Sequence, residues 1–475
     1  MAEQWRLHPD RALPAEPAQR AIARELYAQT ASLPLVSMHG HIDAELIADN
    51  AAFGDPAELF VIPDHYLTRM LVSQGYRLEE LGVPSPQTDV AAEPDHRLIW
   101  RRVCGNWKLF RGTPTRYWLE HELVEVFGVT TEPSAATADQ IYDHLLEVLT
   151  TPQFHIRPLF DRFNIEILST TDAPDSDLSA HARLAADGWG ERVVPTLRPD
   201  ALFYPNHSSW AVGIRALSAR SGIDISDYAS FLDALRQRRF AFAAAGARAS
   251  DHGHLSADTT PLEPADARRI FDAALAAPVD DRAAGRFAAN MLFETARMSV
   301  DDGLVMQLHP GVLRNHSDHV LFRFGANQGF DIPVAMEYTR GLQPLLQAFG
   351  HDSRFRMILF TVDENTYSRE LAPLAGAYPS VLLGAPWWFL DSPGGMSRFR
   401  ELTTETAGFY NTSGFVDDTR AFASIPARHD LARRIDAGFL AKLVGEHRLS
   451  LDEAAETAVD LAYNLPLRAY ARPTA

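Results

Sequence analysis

The feature that most constrains this chain is a succession of eight short apolar runs, each ending in polar, charged or aromatic residues. They are "LPLVSMHGH" (33–41), "IEILSTTD" (165–172), "ERVVPTLRPD" (191–200), "AGARASDHGH" (245–254), "GLVMQLHPG" (303–311), "FRMILFTVD" (355–363), "SVLLGAPWW" (380–388) and "TSGFVDDTR" (412–420). Runs of this length, bounded by Gly, Pro or polar clusters, read as buried strands. The fourth is the weakest of them. Segments between the later runs, such as "HARLAADGW", "TRGLQPLLQAFG" and "GGMSRFRELTTETAGFYN", have helical spacing. Strands alternating with helices imply a parallel sheet with right-handed crossovers. Eight such units imply an α/β fold, a closed (β/α)8 barrel of the TIM type. An open doubly wound sheet is the alternative, but no glycine-rich phosphate loop follows any run.

Residues 1–34 read as an N-terminal helical segment and 35–475 as the barrel. Residues 44–158 read as a helical insertion after the first strand, with "HRLIWRRVCGNWKLF" and "ADQIYDHLLEVL" its clearest helices. Nearly every run ends in residues capable of chemistry: His39 and His41, Asp172, Arg198, Asp251 and His252, His309, Asp363, Trp387 and Trp388, Asp418 and Arg420. In a barrel such ends converge on one face, where active sites sit.

Charge and cysteine content narrow the function classes. A net charge of −18 argues against general affinity for nucleic acid, because phosphate binding needs clustered Lys and Arg. Small anions remain open to capture by a few arginines. The single cysteine, Cys104, permits no intrachain disulfide and fits a reducing, cytoplasmic setting. The N-terminus carries charges and prolines where a signal peptide has an apolar core. No apolar run approaches the roughly 18 residues of a membrane span. The expected partner is a small molecule, with neither nucleic acid nor membrane. A homo-oligomer is compatible with a barrel of this size, but no interface is legible.

His39-Gly40-His41 on a strand places both imidazoles on one face, because side chains alternate. Two such imidazoles suit Zn2+ or a similar ion; the bland reading is hydrogen bonding to substrate or backbone. Asp418 and Arg420, two apart, also share a face, with Asp417 turned away. First and last strands of a closed barrel are neighbours, so Asp418 is placed to join the histidine pair. It either ligates metal or moves a proton, with Arg420 holding it ionised, or the pair merely closes the barrel. "PDHYLTRML" opens a helix in which Asp64 reads as the N-cap, with His65, Tyr66 and Arg69 within about one turn. Arg198 and Arg314 are either carboxylate clamps or ordinary surface arginines. Adjacent Trp387 and Trp388 face opposite ways on a strand, so at most one is expected to meet a site.

Together these residues resemble the uronate isomerase (glucuronate isomerase) family of the amidohydrolase superfamily. The resemblance rests on "HGHID", "PDHYLTRML", "FRGTPTRYWLEHEL", "DRFNIEILSTTDAP", "VVPTLRPD", "ASDHG", "MQLHPGVLRNH", "WWF", "DDTRAFASIPARHD" and "NLPLRAY", spread in order over most of the chain. It implies a (β/α)8 barrel with a helical insertion after the first strand. It also implies interconversion of D-glucuronate with D-fructuronate, and of D-galacturonate with D-tagaturonate. Hydrolases of the superfamily often carry a lysine on the fourth strand and a histidine after the sixth. The fourth run has no lysine, and "TVDENTYS" surrounds the sixth run's end. One divalent ion at most, Zn2+ first, is then expected on His39, His41 and Asp418, its need in catalysis open.

The reaction implied is proton transfer from C2 to C1 through an enediol. Asp418 is the expected base, Tyr66 the proton donor with His65 beside it, and Arg420 a partner for the developing charge. Asp251 or a nearby histidine would assist ring opening. Arg198 and Arg314 would anchor the C6 carboxylate, with His309 and one of Trp387 and Trp388 lining the substrate. The rivals are a metal-dependent hydrolase or decarboxylase on the same barrel, and a non-catalytic sugar-acid binder.

Overall fold

The structure is a computed structural model that describes residues 4–87 and 89–471. Residues 1–3 of the expected N-terminal segment and 472–475 of the expected barrel lie outside the described residues. Seven of the eight apolar runs contain a strand: β1 Leu35–Ser37, β2 Ile165–Ser169, β3 Val193–Val194, β4 Ala249–His252, β5 Val305–Leu308, β8 Met357–Leu359 and β9 Val381–Leu383. Between β5 and β8, β6 Val312–Leu313 and β7 Ile332–Pro333 pair as a small antiparallel ribbon.

All other pairings are parallel. β1, β2 and β3 form one ladder, and β4, β5, β8 and β9 another. Parallel bridges continue the order: Leu197 to Ser250 joins the end of β3 to β4, and Leu383 to Thr412 joins β9 to the eighth run. The eighth run returns to β1, with Asp418 N–H donating to His39 C=O (3.1 Å) and His41 N–H to Thr419 C=O (2.9 Å). The ring of eight is thereby closed.

The eighth run departs from expectation in one respect. It forms no regular strand, because Gly414 (φ 73°) and Asp418 (φ 43°) are left-handed and break the extended backbone. Asp418 is not glycine, so this conformation carries a local cost. Its backbone N–H is spent on His39 C=O, which ties the strained residue to β1.

Strand alternation sorts the apolar residues into an inside and an outside. Val36, Ile167, Val194, Ala249, Val305 and Ile358 meet in one cluster contributed by six strands. The residues that alternate with them turn outward: Leu35, Leu168 and Val193 toward one helical layer, Met306, Leu308, Met357 and Leu359 toward another. Burial on both faces explains why these strands read as continuous apolar runs.

The stretch after β1 is helical, as its spacing predicts. Helices His96–Gly105 and Ala138–Leu149 bury Trp100, Leu145 and Leu149 in the same cluster as Leu35 and Leu168. Each such side chain contributes about 2 kcal/mol of burial. The helix Pro17–Thr30 places Ala23 and Leu26 against Ala437, Leu440 and Ala441 of the helix Ile425–Gly445. Among the described residues no helix is long and apolar enough to cross a membrane.

Candidate active site

The strand ends open into a cavity of about 1210 Å3. Its lining includes His39, His41, His65, Tyr66, Arg198, His309, Arg314, Trp387, Trp388, Asp418 and Arg420. Eleven of the twelve residues expected at the site thus meet there; Asp251 alone is absent from the wall. It lies fully buried beneath the floor. From there it approaches three wall residues: His309 Nε2 at 2.9 Å, Arg198 Nη1 at 3.3 Å and His39 Nδ1 at 3.7 Å. Burial alone would raise its carboxyl. His309, His39 and Arg198 outweigh burial and hold it well below the usual carboxylate range. Gly253 permits this crowding, since a Cβ there would stand 2.5 Å from His309 Cε1 and 2.7 Å from Arg198 Nη2.

Asp418 Oδ1 stands 3.4 Å from His39 Nε2 and 3.2 Å from His41 Nε2. Burial pushes its carboxyl up, but the two histidines prevail and keep it ionised far below the usual range. Arg420 does not take this part. It is exposed on the wall and, among the described residues, makes no ion pair with Asp418. Asp417 turns away from the cavity and accepts from His429 Nε2 at 3.1 Å.

The first-strand pair fits a divalent ion. Both ring nitrogens of His39 are buried without a hydrogen-bond partner, and one ligand atom each of His39, His41 and Asp418 lies within 4.8 Å of the others. Buried polar atoms are almost always paired, so two idle nitrogens on one ring need an explanation. Imidazole and carboxylate donors suit Zn2+.

Asp64 caps the helix His65–Val72, its carboxylate accepting from Tyr66 N–H (2.8 Å) and Leu67 N–H (3.3 Å). The cap aims His65 and Tyr66 into the cavity. Burial pulls the His65 imidazole down to about 3, so it is neutral near pH 7. Burial pushes the Tyr66 phenol up, leaving it a proton donor. Tyr66 packs edge-on to Trp118 at 5.5 Å, and Arg428 lies over both rings. Arg428 also donates to Asp391, whose carboxyl burial raises to about 7 despite that contact.

The tryptophans correct the expectation that at most one meets the site. Trp387 packs on His39 (5.0 Å) and His309 (4.8 Å), while Trp388 lies beneath Arg314 (4.8 Å). Trp388 has φ 52°, and a left-handed residue breaks the alternation that would have turned it away. Arg314 also donates to Asp331 at 2.9 Å. Arg198 is divided between Asp200 (Nε, 3.0 Å) and Asp251. Asp172 and Asp363, at the ends of the second and sixth runs, do not line the cavity; they accept from Thr170 Oγ1 and Met336 N–H.

Asp200, Tyr204, His254 and Arg428 line the cavity without having been expected there. For His254 the signal was present, a second His-Gly-His at 252–254. Arg428 falls within the quoted stretch "DDTRAFASIPARHD", but no spacing singled it out, because it sits inside a helix rather than at a strand end.

The family model for glucuronate isomerase matches residues 17–470. Uronate isomerase from Xanthomonas campestris pv. campestris (strain B100) is 53% identical over 465 residues, 98% of each chain. That of Rhizobium meliloti (strain 1021) is 53% identical over 464 residues, 98% of this chain and 99% of the other. The crystal structure of glucuronate isomerase from Caulobacter crescentus superposes with TM-score 0.96 at 49% identity, covering 98% of this chain and 97% of that one. That of uronate isomerase from Thermotoga maritima gives 0.89 at 26% identity, over 98% and 100%. A closed barrel with its strand ends gathered around one cavity, matched end to end by these enzymes, shows that the chain belongs to the glucuronate isomerase family, isomerases of uronates.

Proposed function

We propose that the chain interconverts D-glucuronate with D-fructuronate, and D-galacturonate with D-tagaturonate, with Asp418 as the base that carries the proton from C2 to C1. The observation that carries this reading is the carboxylate of Asp418, kept ionised between His39 and His41 on a wall it shares with Tyr66. Asp418 takes the C2 proton of the open-chain aldose as Tyr66, a neutral phenol, gives its proton to the carbonyl oxygen at C1. The enediol then loses the proton of its C2 hydroxyl back toward Tyr66, and Asp418 returns its proton to C1, leaving the ketose. General acid–base groups of this kind contribute about 10²- to 10⁴-fold each.

His39, His41 and Asp418 would hold one divalent ion, Zn2+ by donor type, and when bound it supplies positive charge beside the sugar oxygens. Ring opening falls to His309 on the wall, oriented by Asp251 behind it, rather than to Asp251 directly. The C6 carboxylate is received by Arg420 and Arg314 ahead of Arg198, whose charge is already shared by two aspartates. His65, stacked on Tyr66 at 4.7 Å, orients the phenol. The single cysteine, buried Cys104, supports a reducing, cytoplasmic setting.

Turnover of both uronates in D2O tests the route. Deuterium at C1 of the ketose is expected, together with a large loss of turnover in Asp418→Asn. Near-normal turnover in that variant would sink the base assignment.

A further inference from the structure

Beside the expected site, the turn after β3 and the end of β4 bring together a second group of donors. Asp200 Oδ1, His252 Nδ1 and His254 Nε2 are all buried, and none has a hydrogen-bond partner. Asp200 Oδ1 lies 3.9 Å from His252 Nδ1 and 3.7 Å from His254 Nε2, and one ligand atom from each residue falls within 4.8 Å of the others. We propose that these three residues form a second site for a single divalent ion of the Zn2+ type, separate from that of His39, His41 and Asp418.

The idle atoms face one another because every other polar atom of the three side chains is occupied. Asp200 Oδ2 accepts from Arg198 Nε (3.0 Å) and from Gly253 N–H (2.8 Å). His252 Nε2 is paired with Ser250 Oγ at 3.0 Å, and His254 Nδ1 with Tyr204 OH at 3.0 Å. Histidines that ligate metal are held in this way, with the second nitrogen on a hydrogen-bond partner that sets tautomer and ring orientation. Separations of 3.7 and 3.9 Å are too long for hydrogen bonds. They are a few tenths of an ångström wider than the about 3.3 Å between two ligands of one tetrahedral Zn2+.

Charge state agrees with this geometry. Burial drives His252 down to about 3 and His254 to about 4, so both present neutral lone pairs near pH 7. Burial would raise Asp200, but Arg198 and the two histidines keep it ionised. Two imidazoles and one carboxylate are a ligand set of catalytic zinc centres, which keep a fourth position open. Asp200 and His254 line the cavity, so that position opens toward the sugar rather than into the core. Among the described residues no carboxylate belongs to both sites. The Arg198 guanidinium lies between them, touching Asp200 on one side and Asp251 on the other. They are two separate single-ion sites and not one bridged pair.

The test is metal content of the full-length protein, stripped with chelator, reloaded with ZnCl2 and desalted. About two equivalents per chain are expected for the unsubstituted protein, falling to about one in His254→Gln and about one in His39→Asn/His41→Asn. A second reading leaves Asp200, His252 and His254 intact: Co2+ added to the His39→Asn/His41→Asn variant should give visible ligand-field absorption that Asp200→Asn removes. Circular dichroism on each variant confirms that it is folded. A chain that takes up one equivalent at most, with no cobalt absorption in the folded His39→Asn/His41→Asn variant, overturns the proposal and leaves a buried water as the occupant. So does a folded His254→Gln variant that still holds two.

Discussion

Two stretches of this chain read His-Gly-His, residues 39–41 and 252–254, and each meets an aspartate from a neighbouring strand end. Their electrostatics nevertheless differ. Around 39–41, Asp418 lies 3.4 and 3.2 Å from the two imidazoles and has no arginine partner among the described residues. Asp418 and Asp251 together overcome burial and raise His39. Around 252–254, Asp200 also accepts from Arg198, and burial, the largest cause, pushes both histidines down as it does His41. Of the four imidazoles only His39, faced by both Asp418 and Asp251, is raised.

The largest expected effect tests the proton-handling side. Asp418→Asn should lower kcat by about 10³-fold while KM moves little, measured as ketose formed under saturating uronate. A change confined to KM would erase the distinction between the two sides. Next, Tyr66→Phe should lower kcat by roughly 10²-fold, because only its phenolic proton is lost while the ring still packs on Trp118. Solvent isotope effects on kcat in both variants would sharpen the assignment.

Smaller changes are expected where charge is already shared. Arg420→Met should raise KM for uronates by about 10-fold, and Arg198→Met by less, in steady-state kinetics at equal metal loading. The reverse order would place the sugar carboxylate at the 252–254 side.

A stability effect that leaves the reaction untouched sets a baseline outside both clusters. Burial holds His65 near 3 and His121, the last residue of the helix Pro114–His121, near 4, against about 6.5 in the unfolded chain. Below about pH 6.5 the unfolded chain takes up these protons and the folded one does not. Their contribution is therefore complete above that pH and is lost as pH falls toward 4, at up to about 1.4 kcal/mol per unit for each histidine. Thermal denaturation of metal-free protein between pH 7 and 5 should show a falling Tm. Any additional zinc-dependent change in that slope reports on the two clusters.

Much of this site is legible from local pattern. His39 and His41 share a face because a strand has period two, and they meet Asp418 because the first and last members of a closed ring are neighbours. The same rule failed at Trp388 and in the eighth run, where left-handed residues interrupt the period. Asp251 was expected at the sugar and lies beneath the floor, because the last residues of β4 are completely buried. Asp200 carried no expectation, since nothing local says that the turn after β3 folds back over the end of β4.

The sequence by itself determined the alternation of strand and helix, the closed barrel that follows from eight such units, and the placing of chemistry at the strand ends. These depend on short-range periodicity and on how each run buries its apolar side chains. Only the tertiary structure decided which charges neutralise which, because Coulomb and desolvation energies depend on distance and burial across the barrel. Arg198 is drawn to Asp200 and Asp251, Arg420 is left free of Asp418, and two identical tripeptides acquire different charged neighbours.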